Sequence, residues 1–106
     1  MTISSSNAES IDLAKGTDSA SLLTRDQGRR LRTSVMEKLR SVEKVVLDLS
    51  RAEALSPSFA DELFAGLEKE LGPRFSASVR IVGAKPEWRR LISSALQHRR
   101  VQGPLF

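Results

Sequence analysis

Two short apolar runs, Val45-Val-Leu-Asp-Leu49 and Val79-Arg-Ile-Val-Gly83, flank one amphipathic stretch, and that order leaves few folds open. Both runs are short, and β-branched residues are frequent in them, so each reads as a strand. The first is apolar at four of five positions, which predicts a strand buried on both faces. Between them Phe59, Ala60, Leu63, Phe64, Leu67 and Leu71 recur at helical spacing behind Pro57, and Gly72-Pro73 stops the helix. Neighbouring strands joined through a helix are most simply parallel, in a right-handed crossover. The expected class is α/β, with a small mixed or parallel sheet of three to four strands and about three helices.

The remaining elements fit around this unit. Ile11 and Leu13 alternate with Asp12 and Ala14, which predicts a short edge strand ending at Lys15-Gly16. Thr24-Arg-Asp-Gln27 has the form of a capping box, and Leu31, Val35, Leu39 and Val42 follow at helical spacing, predicting a helix over 25–41. Gly28 lies on the same side, which suggests a close approach of the helix backbone to the sheet. Ala84-Lys-Pro86 opens a last helix with Trp88, Leu91, Ile92, Ala95 and Leu96 on one face. Residues 1–9 read as a disordered tail, 10–100 as one domain and 101–106 as a C-terminal tail.

The 106 residues suffice for one small domain. No apolar run approaches the ~18 residues of a membrane span. The start, MTISSSNAES, lacks the pattern of a secretory signal, and the absence of cysteine fits a reducing cytoplasm. The net charge of +4 is segregated by element. Residues 25–44 hold seven bases against three acids, 53–70 five acids against one base, and 74–100 seven bases against one acid.

Catalytic groups are scarce. His98 is the only histidine and sits among Gln97, Arg99 and Arg100 at the end of the last helix, where a cation suits the helix dipole. One histidine and no cysteine cannot build the common zinc sites. No glycine-rich phosphate loop is present. Asp48 and Asp61 could pair as carboxylates, but no nucleophile with a base accompanies them. These observations argue against an enzyme and imply neither metal nor cofactor. Asp48 interrupts the first strand near its C-terminal end, where ligand crevices of parallel sheets form. Its carboxylate accepts hydrogen bonds from the following loop or contacts a partner.

Ser56-Pro57-Ser58 opens the central helix. Serine before proline suits N-cap and N1, with Ser58-x-x-Asp61 as a rival capping register. A phosphate on either serine would meet outward-pointing helix N–H groups and add about −1.5 to −2 charge to an acidic helix. These residues therefore permit both a cap and a switch.

The segments LLTRDQGRRLR, VVLDLS, LSPSFADELF and VRIVGAKPEWRRLI together resemble the STAS domain of sulfate transporters and anti-sigma factor antagonists. They look most like a small bacterial STAS-like family of largely unassigned function. The resemblance implies a non-enzymatic regulatory module that binds a GHKL-type ATPase or serine kinase and is switched by phosphorylation. Counted from VVLDLS, the family's phosphoacceptor falls on Ser58, the position two residues earlier on Ser56, and the polar position at the strand end on Asp48. The partner surface would comprise Asp48, Ser56, Ser58, Phe59, Asp61 and Glu62. Phe59 stands where the antagonists usually have glycine, and its ring either packs inward or lies across the Ser58 hydroxyl. The short N-terminal part and the early end suggest a trimmed member.

The alternative is a small basic nucleic-acid-binding protein. Arg25, Arg29 and Arg32 fall on one helical stripe, and Arg89, Arg90, Arg99 and Arg100 add a second basic region. Stacking residues are few against that reading. A nucleotide pocket near Asp48 and residues 83–86 has only Gly83 and Lys85 to support it.

Overall fold

The computed structural model describes residues 8–96 and 105–106. The expected tails at 1–7 and 101–104 fall outside the described residues, as do His98, Arg99 and Arg100.

Three parallel strands form the main sheet in the order β1 (Ala8–Asp12), β3 (Lys44–Asp48), β5 (Val79–Val82). β3 is central and pairs with both neighbours. Its side chains alternate, with Val45 and Leu47 buried and Lys44, Val46 and Asp48 half-buried. The expectation of burial on both faces is therefore corrected. The fully buried face meets the helices, and the other keeps Arg80 and Val82 of β5 exposed.

The first strand begins at Ala8, so Ala8 and Glu9 belong to the sheet rather than to a tail. It ends at Asp12, earlier than alternation suggested. The Asp12 carboxylate accepts from the N–H groups of Ala14 and Lys15 and so starts α1 (Leu13–Thr17). The side chain read as the polar half of a strand is a helix cap.

A second, two-stranded parallel sheet pairs β2 (Ser21–Leu22) with β4 (Ala54–Leu55). Two residues each are too few for a periodic signal in the sequence. This pair nevertheless sets the entry to both following helices. Thr24 and Gln27 form the expected capping box at the start of α2 (Arg25–Lys38). Ser56 caps α3 (Pro57–Ala60), which continues without a break through a π-helical segment (Asp61–Ala65) into α4 (Gly66–Leu71). Gly72-Pro73 ends this run, but the chain turns at once into a 3-10 turn (Gly72–Arg74) and α5 (Phe75–Ser78) before β5. α6 (Pro86–Ala95) has proline in its first turn, as expected, and buries Trp88 and Ile92.

The core joins Val45, Leu47, Val79 and Ile81 of the sheet to Leu31 and Val35 of α2, Phe59 to Leu71 of the central helix, and Ile92 of α6. Leu105 is also buried, and its carbonyl accepts from the Ile81 N–H at 2.8 Å on the free side of β5. At its last two positions the expected C-terminal tail is thus part of the domain. Among the described residues no helix is long and apolar enough to cross a membrane.

Candidate functional site

The two serines have different surroundings. Ser56 is extended, with φ −102° and ψ 158°, and its hydroxyl accepts from the Phe59 N–H at 3.1 Å. The same hydroxyl donates to the Leu23 carbonyl at 2.6 Å. It follows the Ser56 N–H, which donates to Leu22 O and prolongs the β2–β4 ladder. Ser56 is therefore both the helix cap and a latch between the starts of the two helices. Its one donor and one of its lone pairs are thereby committed within the fold.

Ser58 lies one residue into the helix after Pro57 and is half-buried. Its hydroxyl has no hydrogen-bond partner among the described residues. It opens into a groove of about 590 Å³ lined by Arg25, Pro57, Ser58 and Asp61 on one side and Leu91, Ser94 and Ala95 of α6 on the other. Phe59 does not cover it. The Phe59 side chain is completely buried and meets Phe64 edge-on, with ring centroids 6.5 Å apart. Phe59 thus belongs to the core, and its expected place on a partner surface is corrected.

Asp61 and Glu62 face α2. Arg25 Nη1 lies 3.0 Å from Asp61 Oδ2 and 3.4 Å from Glu62 Oε1. The hydrogen bond that it donates to Asp61, ahead of the weaker influence of Glu62, holds the Arg25 guanidinium above its ordinary pKa. Arg32 pairs with Glu62 Oε2 at 3.0 Å and with Glu70 at 3.1 Å. Asp61 remains half-exposed, whereas the Glu62 side chain is only 19% exposed and is turned towards the arginines. Glu62 is thus a helix–helix tie more than a surface contact. Arg29 and Arg30 both pair with Asp26. The basic stripe read as a phosphate track is consequently neutralised by the acidic helix and by Asp26. Charge segregation between elements is the source of these inter-helix pairs.

The π segment has a local cause. The Gly66 N–H reaches back to Asp61 O, five residues away, so it does not serve Glu62 O as a regular α-helix would. Arg32 Nη1 donates to Glu62 O at 2.6 Å and satisfies the freed carbonyl. Gly66 makes room for this, since a Cβ there would come within 2.8 Å of Arg32 Cδ. Sequence reading put Arg32 on a basic stripe and passed over Gly66, although this lone glycine inside an apolar-periodic helix was the available signal. Arg32→Met is expected to cost about 1–3 kcal/mol by orphaning a backbone carbonyl. Urea denaturation checks this, and an unchanged midpoint would mean that water replaces the guanidinium at no loss.

Asp48 sits across the sheet from Asp12 and Val82, in register with both. Its Oδ1 accepts from the Ser50 N–H at 2.8 Å, closing the turn after β3. Among the described residues nothing joins it directly to the serine-bearing turn. Beside it Gly83, at φ 74°, packs on the Ser50 backbone, and Lys85 lies over the Trp88 ring. In the loop expected to frame a nucleotide, Gly83 is thus held against Ser50 and the Lys85 ammonium is turned onto Trp88. Leu23, 47% exposed, adds an apolar side chain next to the Ser56 latch that sequence reading had not singled out. Among the described residues no group of three or more metal-ligating side chains occurs.

The family model for the STAS-like domain of unknown function (DUF4325) matches residues 27–88, more than half of the chain. The chain belongs to that family. The matched span of this STAS-like domain runs from the capping box of α2 through the serine-bearing turn and β5 to the first turn of α6. No curated protein and no solved structure matches the chain.

Proposed function

We propose that this STAS-like domain is a non-enzymatic regulatory module whose docking surface is the start of the central helix. The surface comprises Ser58, Asp61 and Pro57, with Leu23 beside the Ser56 latch. Its partner is a GHKL-type ATPase that acts on Ser58 as a serine kinase. The carrying observation is the Ser58 hydroxyl, unpartnered among the described residues and opening into a groove, one residue from a phenylalanine turned inward. A phosphate there would add about −1.5 to −2 charge next to Asp61 and change the docking surface. Among the described residues the α2 arginines Arg25, Arg29 and Arg32 are paired with carboxylates, which counts against a nucleic-acid track along that helix.

Incubation with ATP and cell extract, followed by mass spectrometry of the peptide spanning 52–69, tests the acceptor. One phosphate is expected in wild type and Ser56→Ala, and none in Ser58→Ala. Ser58→Asp should weaken capture of the ATPase by about tenfold. An unlabelled peptide, or label on Ser56, would sink the switch.

A further inference from the structure

Among the described residues that line the Ser58 groove, Arg25 is the one cation. It enters from another element, the first residue of α2, and is held over the groove by Asp61. Its two carboxylate contacts both use Nη1. A guanidinium carries five N–H donors, and those on Nη2 and Nε have no partner among the described residues. Ser58 and Asp61 are three residues apart at the start of a helix, where such side chains are neighbours at roughly 5–6 Å between Cβ atoms. A group added to the Ser58 hydroxyl therefore arrives beside the guanidinium that Asp61 holds. Among the described residues the facing wall is neutral, formed by Leu91, Ser94 and Ala95.

We infer that Arg25 is a built-in receptor for a phosphate on Ser58, which it binds through its free donors in competition with Asp61. The inference rests on Ser58 being the acceptor. The phosphoryl group comes from a nucleoside triphosphate. A bond forms between Ser58 Oγ and the terminal phosphorus, the bond to the departing nucleoside diphosphate breaks, and the hydroxyl proton is released. The product dianion then meets Asp61, a like charge, and Arg25, an opposite one. Planar guanidinium donors match phosphate oxygens in pairs, so Arg25 has the geometry to hold two of them. A phosphate on these donors also repels Asp61 and Glu62 and so loosens the Arg25 contacts that join α2 to the central helix. Phosphorylation thereby changes the join between the two helices as well as the surface charge.

The test needs no kinase. Phosphoserine is placed at position 58 by genetic encoding, and its second ionisation is followed by phosphorus NMR in otherwise wild-type, Arg25→Gln and Arg29→Gln proteins. A nearby cation favours the dianion, so the wild-type midpoint should lie about half a pH unit or more below that of Arg25→Gln. Arg29→Gln, which alters a neighbouring surface arginine paired with Asp26, should match wild type. Asp61→Asn should lower the midpoint further by removing a like charge and freeing Arg25. Equal midpoints in wild type and Arg25→Gln, with both proteins folded by circular dichroism, would overturn the inference. Because the phosphate is installed directly, a missing kinase and a missing receptor give separate failures.

Discussion

Phe59→Ala should destabilise the domain by about 3–5 kcal/mol, the range for emptying a buried aromatic site. The ring is fully buried and edge-on to Phe64, among Leu63, Leu67 and the sheet residues Val45 and Leu47 of the same core. Its loss leaves a cavity directly beneath the serine-bearing turn. A small domain has about 5–15 kcal/mol of total stability, so the variant should unfold at markedly lower urea. A docking role would give the opposite pattern, with stability unchanged and partner capture lost. Chemical denaturation of Phe59→Ala separates the two, and Phe59→Leu, which retains most of the apolar volume, should fall between wild type and alanine.

Gly28→Val is expected to cost about 2–3 kcal/mol, the upper part of the range for overpacking. A Cβ at this position would lie 2.9 Å from Glu62 Cβ and 3.0 Å from the Phe59 carbonyl oxygen. Both belong to the central helix and sit on or next to its backbone, so neither can swing aside. The two helices must separate, and the Arg25–Asp61 and Arg32–Glu62 pairs open with them. Gly28→Ala should lose less, because alanine recovers about 1 kcal/mol of helix propensity. Thermal or urea unfolding gives the order wild type, alanine, valine. An alanine variant more stable than wild type would mean that the helices relax apart without loss.

Much of the fold was legible in local pattern. The capping box at Thr24, the cap at Ser56 with proline after it, the apolar spacing from Phe59 to Leu71, and the strands at 45 and 79 are each written within a few neighbouring residues. Such signals survive without tertiary context because caps and periodicity act over one or two turns. The errors arose where distant residues meet. Gly28 was referred to the sheet, but it is the central helix that approaches it. The first strand was read on to Lys15-Gly16, but it stops at Asp12, whose side chain caps a helix. The β2–β4 pair, two residues on each side, exists only because the chain brings positions 21 and 54 together.

The candidate site divides in the same way. The sequence by itself determined that a serine–proline–serine turn begins a helix after the central strand, and that the helix is acidic between basic ones. Local spacing suffices for both. Only the tertiary structure decided that the Ser56 hydroxyl is consumed by Leu23 and Phe59, that the Phe59 ring points inward, and that Ser58 shares a groove with Arg25. Each of these depends on which surfaces of two helices and a sheet are pressed together. That choice is made by burial of the whole core, not by residues near the turn.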